Sequence, residues 1–281
     1  MKRTGDIQKF DSMMDFINAA RLPGTTGTET ASGEVSGHRE DFTGTKNMQE
    51  ALDLAEFGWK DGLDQIEKAL DEINAEPYVE PAPIFDVTGE AFNLDAVLQG
   101  QPEDMFFFMD QETNKPRVVS LAFNFSHGCS ITAEEIMKRG AAIASAVNDI
   151  ESAGIRVELF AYKVTTKSST RYTGRSGSYY RTRALIKIKD ADQPLELERL
   201  CFAAAHPSML RRLWFRIAEQ YGVREFKQRF GECYGSSTDL HRAEYQELGL
   251  ENVIDVRHED FTPEEVKATV KRQLDSILNN Q

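Results

Sequence analysis

Long apolar runs are missing from this sequence. No stretch reaches the roughly 20 apolar residues that a transmembrane helix needs, and the N-terminus lacks the apolar core of a secretory signal peptide. We therefore expect a soluble protein that neither enters a membrane nor is exported.

Cysteine is also scarce. The chain has three cysteines, Cys129, Cys201 and Cys233, and no two of them have CxxC spacing. An odd number of unpaired cysteines in a protein that stays in the cytosol predicts reduced thiols. This pattern argues against both a disulfide framework and a cysteine-ligated metal site.

Positively charged residues are fewer than negatively charged ones. The sequence contains 33 Lys and Arg residues against 46 Asp and Glu residues, which gives a formal net charge of -13. The resulting field repels phosphate, so extensive wrapping of nucleic acid is excluded. A local basic loop remains compatible with this balance.

The clearest pattern in the chain is a strand, a helix and a second strand within residues 117–164. Residues 117–124 are apolar enough for a strand that is buried on both faces. Thr132 and Glu135 have the spacing of a capping box and predict the start of the helix, and Gly154 predicts its end. A second strand follows at once, so the unit predicts two parallel strands joined by a right-handed crossover.

Ligands of open parallel sheets bind beyond the carboxyl ends of the strands. The residues at the end of the first strand, 124–128, therefore form the predicted binding rim. Its candidate residues are Asn124, Ser126, His127 and Gly128, and Asp239 could reach the same rim from a later loop.

The other elements are predicted from periodicity and turn residues. They are a short helix over 7–20, helical residues at 42–76, an extended linker at 77–83, a hairpin around the loop 165–183, a helix from Pro207, and a last strand and helix within 251–280. We therefore expect a flexible N-terminal arm and linker at 1–41, a helical extension at 42–83, and an α/β domain with a mostly parallel sheet at 84–281.

Three longer segments of the chain carry a family resemblance: FTGTKNMQEALDLAEFGWKDG, RGAAIASAVNDIESAGIRVEL and AHPSMLRRLWFRIAE. They resemble an uncharacterised family that is encoded mainly by tailed bacteriophages, and the resemblance covers roughly residues 42–281. The core of that family is similar to the von Willebrand factor A domain. The resemblance thus implies a Rossmann-like sheet sandwiched by helices, in a phage protein that acts in the host cytoplasm.

Von Willebrand A domains bind a divalent cation through an Asp-x-Ser-x-Ser motif after the first strand, with further ligands from later loops. The matching positions here are Asn124, Ser126 and Gly128. A hard cation such as Mg²⁺ prefers oxygen ligands that include a carboxylate, and Asn124 provides none. We therefore predict a degenerate site without a cofactor or metal, although Asp239 leaves Mg²⁺ as an open alternative.

A hydrolase is another interpretation of the same rim. Ser126, Asp239 and His258 follow the chain order of a catalytic triad, and residues 124–128 vaguely resemble a nucleophile elbow. In an elbow, however, the helix begins almost at the serine, whereas here it begins only after Thr132.

The loop 165–183 combines arginines and tyrosines without an acidic residue. Its candidate binding residues are Lys167, Arg171, Tyr172, Arg175, Tyr179, Tyr180, Arg181 and Arg183. Such residues suit single-stranded nucleic acid, because cations meet phosphates and aromatic rings stack on bases. They equally suit a protein partner or the acidic groups of this chain.

The sequence favours binding over catalysis. We expect a non-catalytic protein-binding module that uses the rim and the Arg/Tyr loop, with a phage or host protein as its partner. The alternatives are an accessory protein that holds single-stranded nucleic acid through the loop 165–183, and a cation-dependent or serine hydrolase.

Overall fold

The structure is a computed structural model of the chain. It describes residues 3–23, 40–64, 84–86, 91–92, 97–99, 105–107, 118–128, 130–168, 179–220 and 236–279. The strands are β1 (Arg3–Phe10), β2 (Ile84–Asp86), β3 (Ala91–Phe92), β4 (Met105–Phe107), β5 (Val118–Asn124), β6 (Arg156–Ser168), β7 (Tyr179–Lys189), β8 (Ser236–Thr238) and β9 (Val253–Val256). The helices are α1 (Met13–Arg21), α2 (Glu40–Thr43), α3 (Met48–Phe57), α4 (Ala133–Ser152), α5 (Leu197–Ala205), a π-helix (Met209–Trp214), α6 (Phe215–Glu219), α7 (Arg242–Glu247) and α8 (Pro263–Asn279).

A six-stranded mixed sheet organises the fold. Its strand order is β1-β7-β6-β5-β9, and β8 pairs with β6 as well. The pairs β5–β6, β5–β9 and β1–β7 are parallel, whereas β7 and β8 run antiparallel to β6. The predicted α/β class, with a mostly parallel sheet flanked by helices, is therefore confirmed.

The central β5–α4–β6 unit agrees with the sequence pattern. Glu135 N–H donates to Thr132 Oγ1 at 3.2 Å, and Thr132 N–H donates to Glu135 Oε2 at 2.8 Å, which completes the predicted capping box. Gly154 has a positive φ of 78° just after α4, as a helix stop requires. The hairpin predicted around residues 165–183 is also present as β6 and β7.

The N-terminal segment differs from the predicted helix over residues 7–20. Residues 3–10 instead form β1, which extends the sheet beside β7, and only Met13–Arg21 is helical. Phe16 and Ile17 are fully buried in the main core. Residues 3–21 thus contribute to the sheet and its core, whereas the flexible linker predicted at 23–37 lies, from residue 24 onwards, outside the described residues.

The helix expected from Pro207 is present, because helical residues run without a break from 207 to 219, with the π-helix Met209–Trp214 in the middle. Helix α5 ends before His206, and the π-helix follows from Met209. Its apolar side chains are buried in the main core, as the helical spacing predicted: Leu210, Leu213 and Trp214, with Ile217 of α6.

The two faces of the large sheet are covered by different elements. On one face, apolar side chains of β5 and β6 pack in the main core with α1, α3, α4, α8 and the π-helix. On the other face, alternate residues of the same strands pack in a smaller cluster with Leu240, Tyr245 and Leu250, around α7. Because the side chains of a strand alternate between faces, polar residues at the ends of β5 and β6 reach either cluster.

The predicted helical extension is part of the main core. Ala51, Leu52 and Ala55 of α3 are buried in it, and Arg212 of the π-helix donates to Thr45 O at 2.6 Å and to Thr43 Oγ1 at 3.0 Å. The domain boundaries at residues 42 and 84 stay predictions.

A second, small sheet is formed by β2, β4 and β3, all antiparallel. Among the helices in the described ranges, none combines the length and the apolar character needed to cross a membrane. Cys201 is a buried thiol, and Cys129 and Cys233 lie outside the described residues.

Candidate functional site

The predicted rim lies between the ends of β5 and β8, which both pair with β6. Strand β5 stops at Asn124, which is level with Tyr162 of β6. Strand β6 continues and pairs next with β8, from Val164 opposite Thr238 onwards. The loop after β5 and the residues after β8 therefore converge, and we define the rim as residues 124–128, 130 and 131 together with Asp239 and His258.

Asn124 connects the two strand ends. Its side chain is fully buried, and its amide nitrogen donates to Thr238 O at 2.9 Å and to Asp239 Oδ1 at 2.8 Å. Its amide oxygen accepts the backbone N–H of Ser126 at 2.9 Å. The residue that matches the first aspartate of the metal motif thus acts as a hydrogen-bonded bridge.

Asp239 and His258 are paired. His258 Nδ1 lies 2.6 Å from Asp239 Oδ2, and the backbone N–H of His258 donates to Asp239 Oδ1 at 2.9 Å. Burial alone would raise the pKa of Asp239, but the hydrogen bonds from His258 and Asn124 hold it below its usual value. Asp239 is therefore an ionised carboxylate that orients His258.

A second carboxylate lies on the same face of the sheet. Asp255 Oδ1 accepts the hydroxyl groups of Tyr162 and Tyr245, both at 2.8 Å, and the Tyr162 hydroxyl also lies 3.0 Å from Asp239 Oδ1. Burial raises the pKa of Asp255, in contrast to Asp239. The alternation of β9 could have placed Asp255 beside the rim, but no sequence signal identified its tyrosine partners.

On the opposite face of the sheet, Ser126 contacts a lysine. Lys163 is buried, and its Nζ donates to Ser126 Oγ at 3.0 Å. Burial lowers the pKa of Lys163 to about 7. The sequence did not predict this contact, because nothing in the alternation of β6 distinguishes a buried lysine from an exposed one.

Two arginines hold the rim loop in place through backbone carbonyls. Arg139 donates to Asn124 O at 2.9 Å and to Arg257 O at 3.0 Å, and burial lowers its pKa to about 10. Arg211 donates to Gly128 O at 3.2 Å and to Ile131 O at 2.9 Å. The loop is thereby fixed at both ends.

The Arg/Tyr loop is mostly outside the described residues. This applies to Arg171, Tyr172 and Arg175 and to the side chains of the flanking strand residues, Lys167, Tyr179, Tyr180 and Arg181. Arg183 lies in β7, where its Nη1 is 2.8 Å from Glu244 Oε1 and both side chains are 9% exposed. Arg183 is thus not an exposed cation of the loop, because it faces α7 and forms a buried ion pair.

The rim offers hydrogen bonds rather than an evident metal cage. Within the described part of the chain, no group of three or more His, Cys, Asp or Glu side chains is arranged to hold a metal ion. The absence of a metal at Asn124 and Ser126 stays a prediction.

Comparison with known proteins places the chain in a family. The family profile described as "Domain of unknown function (DUF7192)" matches residues 4–275. No curated protein and no solved structure matches the chain.

Proposed function

We propose that this chain, which belongs to the DUF7192 family, is a non-catalytic protein-binding module of a bacteriophage. Its binding surface is the rim. The phage assignment rests on the resemblance of the three sequence segments, and the preference for binding rests on the geometry of the rim.

The observation that supports binding is the internal hydrogen bonding of Asn124 and Asp239 at the rim. Asn124 uses its amide nitrogen and oxygen for internal hydrogen bonds, and Asp239 accepts hydrogen bonds from Asn124 and His258. Hydrogen bonds formed in advance fix a surface, so less conformational entropy is lost when a partner binds.

The rim also presents an accessible surface. Gly128 and Ser130 are exposed, and Arg211 donates to the backbone carbonyls of Gly128 and Ile131. A loop that is held rigidly on a sheet and exposed at its tip is a common site of recognition.

A rim substitution with a matched control tests this proposal. A Cβ at Gly128 would meet Ser130 Oγ at 3.7 Å and Ile131 Cγ1 at 3.9 Å, both ordinary contacts, so Gly128→Arg is compatible with the fold. Val118→Arg is the control, because Val118 is 46% exposed at the opposite end of β5.

The tagged wild type and both variants are used to capture proteins from lysates of phage-infected cells. We expect a reproducible partner that is retained by Val118→Arg and lost, by about tenfold or more, from Gly128→Arg. Equal capture by the two variants would contradict binding at the rim.

A serine hydrolase is the second candidate, because one contact favours it. Ser126 Oγ lies 3.0 Å from the Lys163 amine, which can act as a base when it is deprotonated, whereas the Asp239–His258 pair lies on the other face of the sheet. Ser126 is, however, fully buried. A fluorophosphonate probe should leave the wild type unlabelled under the binding proposal, and labelling that disappears in Ser126→Ala would favour the hydrolase.

A further inference from the structure

Two buried side chains of β6, Lys163 and Thr165, and the buried Nε2 atom of His127 in the rim loop have unused hydrogen-bonding capacity. Lys163 is 4% exposed, and Ser126 Oγ is its acceptor; among the described residues it has no carboxylate partner. Thr165 Oγ1 and His127 Nε2 are buried without a hydrogen-bond partner in the described structure. Buried polar atoms are nearly always paired, so each orphaned group calls for an explanation.

These side chains belong to one region. Lys163 and Thr165 are two residues apart on β6 and therefore lie on the same face, the face that packs against the helices through Ala161. His127 follows Ser126, whose hydroxyl group contacts Lys163. The positive charge of Lys163 also acts directly on the His127 ring.

The electrostatic character of this region is positive. Arg211, Lys163 and Arg139 all lower the pKa of His127, in addition to the larger effect of its burial. The guanidinium groups of Arg139 and Arg211 donate to backbone carbonyls, and the negative charges of Asp260 and Asp239 offset part of the Arg139 charge. A positive interior site is notable in a chain with a net charge of -13.

The chemistry of the unused groups defines the ligand. A lysine ammonium has three donors, of which Ser126 takes one, and the Thr165 hydroxyl can donate another hydrogen bond. His127 Nε2 can accept a hydrogen bond from a protonated ligand oxygen, and it donates a hydrogen bond when the ring is protonated. A cation would be repelled here, and an apolar ligand would leave these groups unpaired.

We propose that Lys163, Thr165 and His127 form a buried binding site for a single oxyanion group, either a phosphoryl group or a carboxylate. The oxyanion accepts hydrogen bonds from the lysine and the threonine, and His127, which is partly exposed, connects the site to the rim surface. The site is independent of the proposed protein partner, because a free anion is sufficient to fill it.

Calorimetric titration of the full chain with three probes tests the site. Sulfate and inorganic phosphate represent the tetrahedral source and acetate the carboxylate source, each in chloride buffer of constant ionic strength. We expect saturable binding of one anion per chain. Sulfate and phosphate without acetate would identify a phosphoryl site, and acetate alone a carboxylate site.

Two variants locate the binding. Lys163→Met removes the cation at similar volume and should weaken binding by about tenfold or more, since bonds to charged groups are the stronger ones. Thr165→Val removes a hydroxyl that has no internal partner, so the fold is retained and binding should weaken severalfold. Lys271→Met on the exposed surface of α8 is the control and should bind like the wild type.

If Lys163→Met fails to fold, anion binding by Thr165→Val still tests the proposal. Binding that is equal in the wild type and Thr165→Val, or no binding of any of the three probes by the wild type, would overturn the proposal.

Discussion

The side chain of Asn124 joins the end of β5 to the end of β8. A carboxylate at position 124 would instead repel Asp239. The amide nitrogen of Asn124 lies 2.8 Å from Asp239 Oδ1. An aspartate oxygen at that point would face another anion, and two adjacent carboxylates need a proton or a cation between them. The amide therefore stabilises the rim without a bound ion.

We predict that Asn124→Asp destabilises the protein and creates a response to magnesium. The lost donor and the new repulsion should lower the free energy of unfolding by at least about 2 kcal/mol. Millimolar Mg²⁺ should then raise the melting temperature of this variant by mass action, because two carboxylates can share a hard cation.

Two comparisons complete this prediction. Asn124→Ala should be destabilised without responding to Mg²⁺, and the wild type should melt at the same temperature with and without the ion. A clear upward shift of the wild type would contradict the interpretation of Asn124 as a bridge that takes the place of a metal ligand.

Lys163 predicts a specific dependence of stability on pH. Burial lowers its pKa to about 7, whereas the unfolded value is about 10.4. Between these values the unfolded chain binds more protons than the native chain, so the free energy of unfolding rises with pH. The slope from this group is at most about 1.4 kcal/mol per pH unit.

Urea unfolding of the wild type and Lys163→Met in chloride buffer measures this effect. Near neutral pH the variant should be at least as stable as the wild type, because it has no ionisable group to bury. Raising the pH by about one unit should reduce the advantage of the variant by about 1 kcal/mol. Parallel curves for the two proteins between pH 7 and pH 10 would show that Lys163 keeps its ordinary pKa.

At the scale of elements, the helices and strands that have a regular local sequence pattern were predicted correctly. The capping box of Thr132 and Glu135 and the apolar run of β5 are local signals, and both are present in the structure. Strand β1 was missed because Ile7 and Phe10 also fit the helical stripe of the residues that follow. Its pairing with β7 is a tertiary contact, which overrides local preference.

The site was predicted only where side chains follow a strand directly. Asn124 and Ser126 were identified from the rule for the carboxyl ends of parallel strands, and Asp239 was named as a residue that could reach the rim from a later loop. The structure brings Asn124 and Asp239 into contact. The contact between Ser126 and Lys163 was not predictable, because it depends on how far β6 extends beyond β5.

Helix α4 packs against α5 through a glycine. A Cβ at Gly140 would lie 2.7 Å from the Cα of Ala205 and would also overlap its Cβ. Gly140→Ala should therefore lower the free energy of unfolding by about 1–3 kcal/mol through overpacking, although the same change in an exposed helix stabilises by about 0.5–1 kcal/mol.

The control for this prediction is Asn148→Ala on the exposed side of α4. It should be neutral or slightly stabilising, since alanine has the higher helix propensity. Equal stabilisation of both variants in urea unfolding would mean that α4 and α5 do not approach as closely as described.

At the scale of the whole molecule, the N-terminal third and the α/β sheet share one core. Phe16 and Ile17 of α1 and Ala51 of α3 are fully or nearly fully buried in it. Arg211 adds a polar link, because it donates to Phe42 O at 2.8 Å and also to the rim loop. Arg211 thus connects the rim loop to Phe42 in the N-terminal part of the chain.

A fragment of residues 84–281 should therefore not fold by itself. Removing β1, α1 and α3 exposes a large apolar area, and each large side chain loses about 1.5–3 kcal/mol of burial, while total stabilities are only about 5–15 kcal/mol. We expect no cooperative urea transition and strong binding of a hydrophobic dye. A cooperative transition like that of the full chain would contradict the shared core.

The central claim is that the rim contacts a protein partner directly, and site-specific photo-cross-linking in phage-infected cells measures this contact. The cross-linking amino acid replaces Ser130 at the rim in one protein and Val118 at the opposite end of β5 in another. We predict a covalent adduct of reproducible mass from position 130 and none from position 118. Adducts of equal yield from both positions, or adducts from position 118 alone, would contradict the rim as the binding surface.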